Sequence, residues 1–185
     1  NTMKGLPLSK VAYYTWLLFI RQDWLDDVGL DVPQNYEEVV DAAIAFQEAK
    51  LGGENTIGIV FGDNTGITGN WHGFMSGFGA YLDYWIQDGN SLVFSNTQDE
   101  MKDAILAMQR LYSEGIMNKD FSVTTGQLAD EYIANGRSGI FYGNDYATTT
   151  SLFSLSKNDK NAVVINLMPP SANGEPIPIK ASTPG

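Results

Sequence analysis

The side chains able to carry out acid–base or metal chemistry are few, and their spacing does not favour catalysis. His72 is the only histidine, so a two-histidine metal site is excluded, and no Gly-x-Ser-x-Gly motif accompanies it for a hydrolase triad. The chain has no cysteine, which excludes thiol nucleophiles and thiolate metal sites. We therefore interpret His72 as a polar residue at the start of a helix, and we expect no metal and no cofactor.

Adjacent carboxylates are frequent, and a glycosidase requires two carboxylates that face each other across the scissile bond. The candidate pairs are Asp26-Asp27, Glu37-Glu38, Asp99-Glu100 and Asp130-Glu131. Nearly all of them fall on predicted helix surfaces or in first turns, where negative charge complements the helix dipole. The pattern favours solvated helix faces over a catalytic pair, and the chain is predicted not to be an enzyme.

Aromatic and amide side chains stand immediately after two predicted strands. The first strand, at 57–61, is followed by a glycine-rich loop and then by Asn70 and Trp71. The second, at 138–142, ends at Tyr142 and is followed by Asn144, Asp145 and Tyr146. In open α/β folds, ligands bind beyond the carboxyl ends of strands. Flat rings at such a position stack on the apolar face of a sugar, while amides and a carboxylate bind its hydroxyls. These residues are the predicted ligand-binding set; the alternative is that one or two of the rings only fill the core.

The remaining sequence predicts strands that alternate with helices. Strands are expected at 17–20, 57–61, 138–142 and 163–167, and helices at 21–28, 36–50, 71–80, 101–114 and 127–135, with a further helix that begins at 143–146. A hairpin with an Asp-Gly turn connects 84–87 to 92–94. Asn35 with Glu38, and Thr97 with Glu100, have the spacing of a capping box. Alternation of this kind predicts an α/β sandwich.

Charge and length narrow the class further. With 11 basic and 22 acidic side chains the formal charge is −11, which repels phosphate backbones and anionic lipid, so no nucleic-acid role is expected. A chain of 185 residues suits one compact domain. The apolar run at 11–20 is too short to span a bilayer, and no lipidation motif is present. We expect an excised fragment that contacts a membrane only through an anchor absent from this chain.

Three groups of residues occur in a recognisable order. They are Ile20 to Leu25 with the following Val28 to Pro33, then Gly115 to Asp120, then Ile133 to Ile140. Together they resemble the extracellular solute-binding protein family 1, and the first group resembles the LplA-like lipoproteins of Firmicutes, which are sugar-binding components of ABC transporters.

The resemblance implies a periplasmic-binding-protein-like II fold, of which this chain is mainly the second, C-terminal lobe. Residues 1–20 would be a crossover strand and hinge segment from the missing lobe, and residues 21–185 the α/β lobe. By order of elements, the sugar-contacting positions of the family fall near Tyr14 to Trp16, at Asn70-Trp71 and at Asn144 to Tyr146. Maltodextrin-type receptors carry a Trp in the last loop, where Asp145 or Tyr146 stands here.

The function implied is capture without chemistry. Two lobes would close on an oligosaccharide about a hinge, and the closed form would be recognised by an ABC transporter permease. The implied location is extracytoplasmic, as a cell-surface lipoprotein of a Gram-positive bacterium. The alternatives are the same fold binding a peptide, an amino acid or another non-sugar solute, a glycosidase domain, or an adhesive domain without a small ligand.

Overall fold

The computed structural model describes residues 16–64, 66–172 and 174, which form a four-stranded mixed sheet, a separate two-stranded ribbon and helices. The sheet has the order β2-β5-β1-β6, with β1 Leu17–Arg21, β2 Ile57–Val60, β5 Ser138–Gly143 and β6 Val164–Leu167; the ribbon pairs β3 Trp85–Asp88 with β4 Ser91–Phe94. The α-helices are α1 Gln22–Val28, α2 Tyr36–Glu48, α3 Trp71–Ser76, α4 Asp99–Ser113, α5 Gly126–Ala134 and α6 Ser151–Asn158, with 3-10 turns at Ser95–Thr97 and Asp145–Thr149.

Helices cover both faces of the sheet because its strands are apolar on both sides. Leu18 and Ile20 of β1 face a core shared with α2 and its buried Phe46. Phe19, between them, points to the opposite face, where its ring stacks on Phe141 at a centroid distance of 4.9 Å. Period-two alternation along one strand thus serves two helical layers. The predicted α/β class is confirmed.

The strand directions bring four chain segments together at one end of the sheet. β2 runs parallel to β5, with Ile59 opposite Ile140. β1 is antiparallel to β5 and to β6, so that Leu17 lies opposite Gly143 and Leu18 opposite Leu167. The carboxyl ends of β2, β5 and β6 and the beginning of β1 therefore share one end of the sheet, which we call the upper end.

Two predicted helix starts have different outcomes. Asn35 caps α2 as predicted, its Oδ1 accepting a hydrogen bond from the Glu38 amide at 3.0 Å, although the Glu38 carboxylate accepts from the Gln34 amide. The predicted box of Thr97 with Glu100 is wrong. α4 begins after Gln98 without a side-chain cap, because the Thr97 hydroxyl is used to donate to the Phe94 carbonyl at 2.8 Å.

The predicted segments differ from the structure in two further places. The helix expected over 71–80 ends at Ser76, and the turn that follows includes Gly79 with a φ of 76°. The helix expected after Gly143 is a 3-10 turn that leads into α6.

Residues 17–20, the end of the expected crossover and hinge segment, lie in β1 between β5 and β6. The crossover and hinge role of residues 1–20 stays a prediction, and Tyr14 lies outside the described residues.

The opposite, lower end of the sheet is held by Arg21, a buried arginine at the end of β1. Its guanidinium donates to Asp23 at 2.7 Å and to Asp159 at 2.8 Å, and it lies 4.9 Å from the ring centroid of Trp24. Asp23 also accepts from the Val163 amide at 3.2 Å. These contacts tie α1 and the end of α6 to the sheet. Among the described residues, no helix is long and apolar enough to cross a membrane.

Candidate ligand-binding site

Three rings form a row at the upper end of the sheet. Trp16, just before β1, stacks on His72 of α3 with a centroid distance of 5.4 Å and an interplanar angle of 11°. Tyr84, just before the ribbon, meets His72 edge-on, with a centroid distance of 6.3 Å and an interplanar angle of 74°. Trp16 and His72 are half-buried, and Tyr84 is 48% exposed. We call Trp16, His72 and Tyr84 the aromatic row.

Two members of the aromatic row were not in the predicted ligand set. His72 is near the start of a helix, as expected, and its ring stacks on Trp16. Tyr84 lies in the sequence at the start of a hairpin, far from Trp16. His72 could have been included in the predicted set because it directly follows Trp71 in the sequence. No local pattern predicts that Tyr84 lies beside His72.

Trp71 is fixed in orientation by the loop that precedes it. Its indole Nε1 donates to the Gly62 carbonyl at 2.7 Å, and its backbone amide donates to the Asn64 side chain at 3.0 Å. The ring leans on Phe121 at a centroid distance of 6.0 Å. Trp71 is thus a half-buried ring with one edge anchored, positioned by loop 62–70 at the carboxyl end of β2.

The two predicted asparagines are buried and cap the segments that follow them. Asn70 Oδ1 accepts from the His72 amide at 2.8 Å and begins α3. Asn144 Oδ1 accepts from the Tyr146 amide at 3.0 Å and begins the 3-10 turn. Because each side-chain oxygen is used in this way, both residues position the neighbouring ring.

Backbone hydrogen bonds join the two loops that carry the predicted residues. The Asn70 amide donates to the Tyr142 carbonyl at 3.1 Å, and the Asn144 amide donates to the Ile67 carbonyl at 3.2 Å. Thr68 forms an isolated β-bridge with Gly143. The structure therefore brings Asn70-Trp71 and Asn144 to Tyr146 to the same end of the sheet.

Tyr142 and Tyr146 differ in what they present to solvent. Tyr142 is only 3% exposed, packs on Phe61 and Phe74 at 6.1 and 5.9 Å, and its burial raises the pKa of its phenol. The Tyr142 ring therefore belongs to the core beneath the upper end of the sheet. Tyr146 is 47% exposed and follows the exposed Asp145, so its ring is accessible.

Asn118 holds the beginning of loop 62–70 and was not predicted as a site residue. Its Oδ1 accepts from the Phe61 amide at 2.8 Å, and its Nδ2 donates to the Phe61 carbonyl at 2.9 Å. The buried side chain thereby continues the pairing that starts where Ile59 bridges Met117. Nδ2 also donates at 3.1 Å to Asp120, which accepts from the Tyr132 hydroxyl at 2.8 Å.

A model of the family described as bacterial extracellular solute-binding protein matches residues 3–181. This chain belongs to that family. It is 33% identical to lipoprotein LipO of Bacillus subtilis (strain 168) over 129 residues, 66% of this chain and 25% of that protein. It is 34% identical to the polygalacturonan/rhamnogalacturonan-binding protein YtcQ of the same strain, over 75% of this chain and 27% of that protein.

Solved structures of solute-binding proteins share the fold. The alginate-binding protein AlgQ2 aligns with a TM-score of 0.70 at 19% identity, over 86% of this chain and 33% of that one. An HMO-binding solute-binding protein from Bifidobacterium longum infantis ATCC 15697 aligns with a TM-score of 0.68 at 21% identity, over 86% of this chain and 34% of that one. This solute-binding protein sequence spans about a quarter of the length of its curated relatives.

Several predicted carboxylate pairs of this solute-binding protein have partners of their own. Glu37 accepts from Arg110 at 3.0 Å, Asp26 accepts from Gln22 at 2.8 Å, and Asp130 accepts from the Thr68 hydroxyl. Within the described part of the chain, no group of three acidic or histidine side chains is arranged to hold a metal. What the upper end offers is a set of flat rings bordered by acidic side chains, an arrangement that can stack and accept hydrogen bonds.

Proposed function

We propose that this chain is one lobe of an extracytoplasmic ABC-transporter receptor that captures an oligosaccharide without chemically changing it. The observation that carries the proposal is the aromatic row at the upper end of the sheet, with Trp71 and Tyr146 on the adjoining loops. The curated relative YtcQ, by its name, binds polygalacturonan and rhamnogalacturonan, and AlgQ2 binds alginate.

The chemistry of the site suits a sugar better than a peptide or an amino acid. A pyranose presents an apolar face of C–H groups that lies flat on an aromatic ring, and hydroxyls at its rim. Half-exposed, orientationally fixed rings such as Trp71 meet the first need. The exposed Asp145 carboxylate meets the second. Capture of a free amino acid would instead require a paired cation and anion for its termini.

The arrangement in the whole protein is part of this proposal. Residues 1–20 would lead in from the hinge, residues 21–185 would form the second lobe, and the other lobe would supply the facing half of the cleft. The permease would recognise the closed form. The name of lipoprotein LipO supports a lipid-anchored protein at the surface of a Gram-positive cell.

The test is a titration of the complete protein with named glycans, followed by intrinsic tryptophan fluorescence and calorimetry. The panel contains oligogalacturonides, rhamnogalacturonan and alginate oligosaccharides, kestose and stachyose, with a tripeptide and free amino acids as non-sugar probes. Trp16→Ala and Trp71→Ala are compared with Phe153→Ala, which removes an exposed ring from α6.

We expect one glycan class to bind saturably, to be recovered intact, and to bind about tenfold or more weakly to the Trp71 and Trp16 variants but normally to Phe153→Ala. If the tripeptide binds and no glycan does, the ligand is a non-sugar solute and the proposed sugar capture is wrong. Steady consumption of the glycan would assign a glycosidase.

A further inference from the structure

His72 is the one basic side chain in the two chain segments that supply most of the candidate site. Residues 51–101 contain no lysine or arginine, and residues 138–156 contain no basic side chain. These segments include loop 62–70, α3, the ribbon, β5 and the 3-10 turn at Asp145–Thr149. The exposed Lys119 lies outside both, on the loop after the Met117 bridge. A positive charge therefore arises on these segments only when His72 takes up a proton.

The imidazole of His72 is held at a defined place in the aromatic row. Its ring stacks on Trp16 at 5.4 Å and meets Tyr84 edge-on at 6.3 Å, both measured between ring centroids. The next residue, Gly73, lies so close to the sheet that a Cβ there would be 2.8 Å from Cδ1 of Tyr142 and 3.3 Å from the Cβ of Trp16. This close approach fixes the start of α3, so a charge on the imidazole would appear at a fixed position.

The groups around His72 decide when it takes up a proton. The segment before β1 contributes the indole of Trp16, and β5 beneath α3 contributes the phenol of Tyr142, whose pKa is raised by burial. The entry to the ribbon contributes the phenol of Tyr84 and the carboxylate of Asp83. Burial of the imidazole lowers the pKa of His72 below 6.5, and Asp83 opposes that shift without cancelling it. His72 is therefore neutral at pH 7 and becomes a cation only at acidic pH.

Acidic side chains lie on the same segments as His72. Asp63 lies in loop 62–70, and the exposed Asp145 lies in the 3-10 turn. Asp83 is kept in place by the Asn96 side chain, which donates to its carboxylate at 2.8 Å. An acidic sugar that approaches the neutral form of His72 therefore meets carboxylates, which repel it.

The two charge states of the imidazole suit different sugar units. A neutral imidazole is a flat surface for the C–H face of an uncharged pyranose, as the neighbouring rings are. A uronate unit carries a carboxylate, which stays ionised down to about pH 4. An imidazolium can donate a charge-assisted hydrogen bond to that carboxylate, and such bonds are about twice as strong as those between neutral groups.

We propose that His72 sets the charge class of the sugar unit in the aromatic row: the neutral ring accepts uncharged units, and the protonated ring binds a uronate. The inference rests on the proposed function and adds that acidic surroundings change the preference of the receptor. By linkage, a uronate that binds better to the protonated ring also favours the uptake of a proton by that ring.

The test compares acidic glycans with a neutral counterpart on the complete protein. The probes are trigalacturonate, its methyl ester and an alginate trisaccharide, titrated by calorimetry at about pH 7.5 and about pH 5.5. His72→Phe keeps a flat ring that cannot be protonated, and Phe153→Ala on α6 is the control. Calorimetry of the wild type at about pH 6, in two buffers of different ionisation enthalpy, gives the number of protons taken up on binding. This second measurement does not depend on the folding of any variant.

We expect an acidic glycan to bind the wild type about three- to tenfold more tightly at the lower pH and to take up protons, whereas the methyl ester shows neither effect. His72→Phe should lose both the pH dependence and the proton uptake, and Phe153→Ala should keep both.

An acidic glycan that binds without proton uptake, or with the same pH dependence in His72→Phe, overturns the role of His72 while the proposed function stands. The same conclusion follows if only neutral glycans bind at both pH values. If no glycan binds at either pH, the proposed function itself fails and the inference fails with it.

Discussion

At the scale of single residues, His72 is the titratable group that distinguishes the upper end of the sheet. Burial of the ring, which stacks on Trp16, lowers the pKa of His72 below its ordinary value of 6.5, and the nearby Asp83 carboxylate opposes that shift. The ring is therefore neutral at pH 7, where it behaves as one more flat, uncharged surface.

The lowered pKa makes a prediction about stability. The unfolded chain takes up a proton on His72 near pH 6.5 and the folded chain only at lower pH, so stability is intact above that value and is lost as the pH falls toward the folded pKa. We expect urea unfolding between about pH 7.5 and about pH 5.5 to show this loss in the wild type and a flatter dependence in His72→Phe. His72 is the only histidine in the chain, and both proteins carry the same carboxylates. The difference between their pH dependences therefore reports the titration of His72. Identical slopes would contradict the prediction.

A second residue-scale prediction concerns Asn118, which pairs with both the amide and the carbonyl of Phe61. Asn118→Ala leaves these buried groups without their side-chain partner, and we expect a loss of about 1–3 kcal/mol in the free energy of unfolding. The matched control is Asn158→Ala, which removes an exposed hydrogen bond to the Ala134 carbonyl. Equal midpoints for the two variants in urea would show that Asn118 does not hold this loop.

At the scale of elements, loop 62–70 is seated on the N-terminus of α5 by two glycines. A Cβ at Gly126 would lie 2.4 Å from the Cα of Gly66, and the reciprocal distance is the same. Backbone can approach backbone this closely only without side chains. The loop in turn supplies the carbonyl that accepts from the indole of Trp71.

Gly126→Ala should therefore affect both stability and the site. Because the clash is with backbone, we expect a cost of about 1–3 kcal/mol and weaker ligand binding through the displaced loop, read by urea unfolding and by the glycan titration. Gln127→Ala, which changes an exposed neighbour on the same helix, is expected to alter neither. A stable Gly126→Ala protein with normal binding would show that the loop is positioned by other contacts.

The elements were largely predictable because each has a local cause. The continuous apolar run at 17–20 predicted β1, and the Asn35 cap predicted the start of α2. The Thr97 box failed because its hydroxyl has a competing acceptor, the Phe94 carbonyl, that only the folded 3-10 turn creates. The helix predicted over 71–80 is longer than α3, which ends at Ser76.

The location of the candidate residues at one end of the sheet was predictable from the sequence, but their exposure was not. The rule that strand ends gather ligand-binding loops located Trp71 and Tyr146 correctly at one end of the sheet. It did not separate accessible rings from buried ones, because Tyr142 and Tyr146 differ in exposure only through tertiary packing. Stacking of Trp16, His72 and Tyr84 joins three distant segments, and no single-sequence pattern encodes such a meeting.

At the scale of the whole molecule, the formal charge of −11 bears on ligand class. The loops at the upper end carry Asp63 and Asp145, Asp83 lies close to His72, and the exposed Lys119 follows the bridge of Met117. A negative field of this kind slows the approach of an anionic glycan and leaves a neutral one unaffected. Under the proposed function, this field would favour uncharged sugar units at the aromatic row.

This field predicts opposite salt responses for the two ligand classes. Raising the ionic strength from about 0.02 M to about 0.2 M shortens the screening length several-fold, so we expect octagalacturonate to bind faster and more tightly in salt, whereas inulin oligosaccharides are unchanged. Asp145→Asn, which removes one exposed charge beside Tyr146, should reproduce part of the salt effect on the association rate of octagalacturonate, and Asp27→Asn on α1 serves as the distant control. Stopped-flow fluorescence gives both association rates. Salt screening weakens attraction and repulsion alike, so the sign of the salt response reports the sign of the charge that the ligand meets. Weaker galacturonate binding at high salt would therefore contradict the prediction and would mean that basic groups elsewhere in the complete protein dominate recognition.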